Sequence, residues 1–233
     1  MATYLTPEQA QQIIDQKFEL DNLCQFSGES KSQIKQDLFV LSELGFKHNG
    51  YFVEFGATNG VDLSNTYLLE KKFGWLGIVA EPLKSKYGEL IRNRNCHIEE
   101  KCVWRSSGEL LKFLEANDQD YSTIFEYHDK DLHHQIRKNG LVSEVETISL
   151  NDLLEKYNAP RLIDYLSIDT EGSEYEILNN FDFEKYHFRV ITCEHNHTNQ
   201  RESIYELLTN FGYKRKYEHL SLFDDWYIGP KDY

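Results

Sequence analysis

A doubly wound α/β domain with a mostly parallel sheet is the fold this sequence predicts, on three observations. From Tyr51 onward, short apolar runs alternate with helix-period segments of about ten residues, a pattern of parallel strands joined by right-handed crossovers. The first run ends in a glycine-bearing turn, Gly56-Ala57-Thr58-Asn59-Gly60. Later runs end in acidic residues, Glu81, Asp169 and Glu194, at the strand termini where open α/β sheets hold their ligands.

Residues 1–50 read as an N-terminal helical extension packed against the sheet, and residues 51–233 as the sheet-bearing domain. Thr6-Pro7-Glu8-Gln9 offers a cap and a first-position proline for one helix, with Ile13, Ile14, Phe18 and Leu20 at near-helical spacing. Ser30-Lys31-Ser32-Gln33 starts a second, running through Ile34, Leu38, Leu41 and Leu44 to Gly45. Strands are expected at 51–55, 76–81 and near 97–103, with helices over 64–73 and 84–93 between them. Ser106–Glu144 is polar and reads as irregular. Its part Asp118–Gly140 holds Tyr121, Phe125, Tyr127, His128, His133 and His134, rings suited to the wall of an acceptor pocket. The alternation resumes with helix 150–157, strand 162–168, helix 174–180, strand 189–193, helix 202–211 and strand-like pieces at 213–218 and 226–228.

The chain has 233 residues, 40% of them hydrophobic and 27% charged, which suits one globular domain and excludes a disordered chain. Its net charge of −14 opposes nucleic-acid binding, which depends on Lys and Arg neutralising phosphates. Cys24, Cys96, Cys102 and Cys193 form no C-x-x-C pair, so neither a zinc site nor a disulfide framework is expected. The N-terminus lacks a signal-peptide pattern and no apolar run is long enough to span a bilayer, so a cytoplasmic location is expected. A homo-oligomer is compatible with this composition.

The turn Glu54-x-Gly56-x-Thr58-x-Gly60 lets backbone approach a ligand closely, but it departs from the G-x-G-x-x-G dinucleotide spacing. Glu81, about twenty residues beyond Gly60, stands where an acidic side chain accepts the hydroxyls of a nucleoside ribose. After the strand at 162–168 come Asp169, Glu171 and Glu174, carboxylates that repel one another unless a cation or donor network compensates. Acidic residues also suit a helix start, which accounts for Glu174 and partly for Glu171, and leaves Asp169. The next strand ends in Glu194-His195-Asn196-His197. Adjacent parallel strand ends lie about 5 Å apart, so Asp169 is expected to face Glu194 and His195, a set suited to a hard divalent ion.

These stretches together resemble the FkbM family of S-adenosylmethionine-dependent methyltransferases. The likeness runs through Val53–Gly60, Ala80-Glu81-Pro82, Val145–Leu154 and Ile168–Glu174, with Ser32-Gln33-x-x-Gln36-Asp37-x-Phe39-Val40 ahead of them. The resemblance implies a Rossmann-like class I methyltransferase fold, a seven-stranded sheet with helices on both faces and its last strand antiparallel. It also implies O-methylation of sugar or natural-product hydroxyls. Carried over by position, Glu54, Gly56, Ala57 and Gly60 line the methionine part of the cofactor, with Thr58 in the same turn. Glu81 followed by Pro82 holds the ribose, and Val103 meets the adenine face. Thr58 stands where asparagine is frequent in the family, and Asn59 where an apolar residue is usual. By analogy with metal-dependent O-methyltransferases, Asp169, Glu194 and either His195 or Asn196 are expected to hold Mg2+ or Mn2+.

The expected reaction is in-line methyl transfer to a hydroxyl of a small molecule or glycan, with Asp169, His195 and Glu171 as candidate catalytic residues. Two other readings share the fold: an NAD-dependent oxidoreductase using the same turn and Glu81, and a non-catalytic cofactor-binding module.

Overall fold

The computed structural model describes residues 21–231, so the helix expected after Thr6 lies outside the described residues. In chain order its elements are α1 (Gln36–Glu43), β1 (Tyr51–Phe55), α2 (Tyr67–Phe73), β2 (Leu76–Ala80), α3 (Lys84–Asn93), β3 (His97–Glu99), β4 (Cys102–Trp104), β5 (Leu110–Glu115), β6 (Thr123–Ile124), β7 (Leu141–Ser149), α4 (Leu150–Lys156), β8 (Leu162–Ile168), α5 (Glu174–Asn179), β9 (His187–Glu194), α6 (Gln200–Asn210), β10 (Lys214–Lys216) and β11 (Asp224–Ile228).

Seven strands form the main sheet in the order β10-β11-β9-β8-β1-β2-β3. The strands from β9 to β3 are parallel, and β11 runs antiparallel to both β9 and β10. The central strands carry apolar runs because both faces are covered. Leu153 of α4, Ile177 of α5 and Ile204 of α6 pack on one side with Val53, Phe55 and Ile168. Leu41 of α1, Leu69 of α2 and Leu90 of α3 pack on the other with Phe52, Val79 and Tyr165. Each such apolar side chain contributes about 1.5–3 kcal/mol on full burial.

α1 starts one turn later than the serine pair at 30 and 32 suggests, yet those serines still secure it. Ser32 Oγ accepts the Asp37 amide at 3.2 Å, and Ser30 Oγ donates to Asp37 Oδ1 at 2.7 Å.

Two expectations need correction. The strand expected near 97–103 breaks into β3, at the edge of the main sheet, and β4, which pairs with β7. The segment read as irregular instead supplies β5 and β6 of a second sheet, ordered β4-β7-β5-β6. The first four residues of β7 are exposed, so no continuous apolar run marks that strand in the sequence. The second sheet lies over the carboxyl ends of β1 and β2, where Leu83, Phe113, Ile124 and Val145 form their own apolar cluster.

Candidate active site

The strand order reverses between β1 and β8, the position at which a doubly wound sheet opens a crevice. Gly56, immediately after β1, has a left-handed φ of 75°. A Cβ there would lie 2.1 Å from the Asp169 carbonyl oxygen, so only glycine lets these two strand ends meet. The Gly56 and Ala57 amides both donate to Ala80 O, tying the turn to the end of β2.

A cavity opens over this junction. Its wall includes Gly56, Thr58, Glu81, Pro82, Val103 and Asp169, all expected from the sequence. Glu81 is held rigidly, its Oε2 accepting the Thr58 amide at 2.8 Å and its Oε1 the Leu83 amide at 2.9 Å. Burial pushes its carboxyl up to about 7. Leu83, Cys102, Val103 and Phe113 make an apolar wall beside it.

Other expected residues serve differently. Ala57 is buried in the core and Gly60 abuts Leu90 and Arg94; neither lies on the cavity wall. Glu54 reaches the wall, but its carboxylate accepts from the Asn65 amide, Ser64 Oγ and Thr66 Oγ1, and pairs with the buried Arg94. Asn65 is a lining residue the sequence reading missed. Its Nδ2 donates to Ser167 Oγ, while its buried Oδ1 accepts nothing.

A second chamber adjoins the first, sharing Leu63, Asp120, Asp169 and Glu171 with it. Here carboxylate oxygens of Asp169, Glu171 and Glu194 lie within 4.8 Å of one another. Burial, then mutual repulsion, raises the carboxyls of Glu171 and Glu194; burial also raises Asp169, which a hydrogen bond with Glu194 partly offsets. Arg137 anchors Glu171 at 2.7 Å, and Asn196 Nδ2 donates to the same oxygen at 3.2 Å. Glu174 stays out of the chamber: its Oε1 accepts the Thr170 and Gly172 amides and closes the loop after β8.

His195 is not brought to this cluster. Successive side chains at a strand end alternate in direction; His195 Nε2 lies 3.8 Å from Asp225 Oδ1, and its Nδ1 accepts the His197 amide. Burial lowers its pKa to about 4. Asn196, the alternative in that position, lines the chamber.

The residues 118–140 contribute unevenly. Tyr121 and His133 stack with centroids 4.5 Å apart and line the chamber. Tyr127 is buried against Trp104. Phe125, His128 and His134 border a separate groove. Arg137 is the residue here that sequence reasoning missed. Its side chain is fully buried, with Nη1 donating to both oxygens of Asp131 and Nε to the Tyr121 carbonyl. Asp224, also missed, lies beside Glu194 in the β9–β11 ladder and accepts from Gln36 at 2.9 Å; burial pushes it up to about 8.

These raised carboxyls make a pH prediction. Each holds its proton to higher pH folded than unfolded, so its contribution to stability is complete below about 4 and disappears as pH rises through its folded value. With Glu81 at about 7 and Asp224 at about 8, the Tm of the ligand-free protein is expected to fall by several degrees between about pH 6 and about pH 9. Thermal unfolding followed by circular dichroism checks this.

A seven-stranded sheet of this order with an antiparallel β11 and a ligand crevice at β1 and β8 defines a class I methyltransferase fold. The chain belongs to the FkbM methyltransferase family: the family model, described as the methyltransferase FkbM domain, matches residues 54–215. Similar solved structures include a methyltransferase FkbM from Methylobacillus flagellatus KT, 11% identical, covering 93% of this chain and 60% of that one with a TM-score of 0.45. A precorrin-6Y C5,15-methyltransferase from Geobacter metallireducens GS-15 is 12% identical, covering 77% of this chain and 71% of that one with a TM-score of 0.42. No curated protein matches the chain significantly. The family implies S-adenosylmethionine as methyl donor, which decides against the dehydrogenase reading. Among the described residues, no helix is long and apolar enough to cross a membrane.

Proposed function

We propose that this protein is an S-adenosylmethionine-dependent O-methyltransferase acting on a hydroxyl of a sugar, glycan or related small molecule. The observation that carries the reading is the continuity of two chambers across Asp169, one bearing Glu81 and an apolar slot, the other rich in hydrogen-bond acceptors. The first chamber fits the methyl donor. Glu81 would accept the ribose hydroxyls, and Leu83, Cys102 and Val103 would cover the adenine. The bare Gly56 backbone and the unpartnered Asn65 Oδ1 would meet the methionine end. When bound, the donor supplies an electrophilic methyl on a sulfonium, and transfer leaves S-adenosylhomocysteine.

An alcohol is a poor nucleophile at neutral pH, so the chain must take its proton. Asp169 stands at the junction of the two chambers, and its raised carboxyl suits a general base near neutrality. The proton passes to Asp169 as the new C–O bond forms and the C–S bond breaks. Alignment of the acceptor oxygen by the chamber walls would lower the barrier, by up to about 7–11 kcal/mol for well-oriented groups.

A metal-assisted version has its own support. Asp169, Glu171 and Glu194 present ligand oxygens within 4.8 Å of one another, and the buried Glu194 Oε2 lacks a donor. They would hold Mg2+ or Mn2+, and such an ion lowers the pKa of a bound hydroxyl. Four free cysteines support a reducing, cytoplasmic setting.

Incubation with methyl-labelled donor and a set of methyl glycosides, with and without rigorous chelation, tests both versions. Label on oxygen is expected. Label confined to nitrogen or carbon, or none, contradicts the reading. Unchanged turnover after chelation removes the metal version and leaves Asp169 as base.

A further inference from the structure

We propose that the acceptor is an amine-bearing polyol, in class an amino sugar, whose ammonium group is held by the carboxylates of the second chamber. The inference rests on the reading of that chamber as the acceptor site and narrows it.

The chamber presents Asp118, Asp120, Asp169, Glu171 and Glu194, and none of its described lining residues is Lys or Arg. Arg137 sits behind Glu171 and directs its Nη atoms to Asp131 and Glu171, so it offers nothing to a ligand. Burial raises the Asp120 carboxyl, an effect that the field of Lys86 only partly offsets, and Lys86 is not on the wall. An anionic acceptor therefore finds no basic partner on this wall, whereas an ammonium favours the charged form of the buried carboxyls.

A second observation does not depend on charge counting. Glu194, 6% exposed, keeps Oε2 buried with no hydrogen-bond partner. A buried acceptor of this kind requires a donor, and Glu194 lines the chamber. An ammonium brings three donors and no acceptor, and sugar hydroxyls add more; phosphate, sulfate and carboxylate groups bring acceptors only. The Tyr121 ring, held by its stack on His133, offers a face for a nearby cation. Divalent metal at the inner carboxylates leaves Asp118 and Asp120 at the outer end still unneutralised.

The test uses protein saturated with S-adenosylhomocysteine in EDTA-treated buffer, titrated calorimetrically with glucosamine, N-acetylglucosamine and glucosamine 6-phosphate. Acetylation removes the charge, and the phosphate adds an opposing one. Glucosamine is expected to bind at least about 10-fold more tightly than either, with the advantage shrinking several-fold at high salt. Asp118→Asn, at an exposed position, is expected to cut that advantage several-fold. Equal or tighter binding of N-acetylglucosamine or of the 6-phosphate overturns the proposal, as does no glucosamine binding up to about 50 mM. In each of those outcomes the cofactor reading stands; failure of S-adenosylhomocysteine to bind overturns that reading and the proposal together.

Discussion

Gly56→Ala is expected to cost at least about 3 kcal/mol of stability and to abolish measurable S-adenosylhomocysteine binding. Two effects add. Alanine pays about 1–2 kcal/mol for a left-handed backbone, and here φ is 75°. Its Cβ would also overlap the Asp169 carbonyl oxygen at 2.1 Å, an atom of main chain that cannot swing aside. Relief requires the ends of β1 and β8 to separate, which displaces Asp169 and opens the cavity floor. Gly108→Ala supplies the control, because Gly108 has φ 79° with nothing within 4 Å of its would-be Cβ. It is expected to show the backbone cost alone, about 1–2 kcal/mol. Denaturant unfolding of both variants checks the pair. Equal losses would mean that the close approach of the two strands contributes nothing.

Arg137→Ala is the second large effect, at about 3–5 kcal/mol, because removing one partner strands the others in a buried setting. The guanidinium satisfies both oxygens of Asp131, the Tyr121 carbonyl and Glu171 at once. Its loss detaches residues 118–140 from the loop after β8, leaving only contacts such as Thr123 Oγ1 to the Glu171 carbonyl. Trypsin is therefore expected to cleave the variant first at the exposed Lys130 or Lys138, ahead of sites in the main sheet. Arg137→Lys keeps the charge but not the planar fork, so an intermediate loss is expected. Wild-type resistance to trypsin in the Ala variant would contradict the role.

The sheet was legible because its central strands are buried on both faces and so appear as apolar runs; β1 and β8 fall where the pattern puts them. The second sheet was not, because β5 and β7 expose part of one face and carry Lys112, Glu144 and Glu146 within them. At the site, Glu81, Asp169 and Glu194 were readable as acidic residues closing apolar strands. His195 was misplaced because adjacency in sequence does not mean a shared face at a strand end. Arg137 gave no signal, standing beside Lys138 in a charged stretch; its burial follows only from the fold. Asp224 was discoverable, since an acidic pair directly before Trp226 and Tyr227 opens a buried strand.

The central claim is that the crevice beside Glu81 binds an S-adenosyl nucleoside through its ribose. Isothermal titration with S-adenosylhomocysteine tests it most directly, on wild type and on Glu81→Gln, which keeps the shape and removes the carboxylate charge. One molecule per chain is expected to bind, with affinity at least about 10-fold weaker in the variant and no heat from NAD in either. Absence of binding, binding of NAD in its place, or equal affinity in the two proteins would contradict the account.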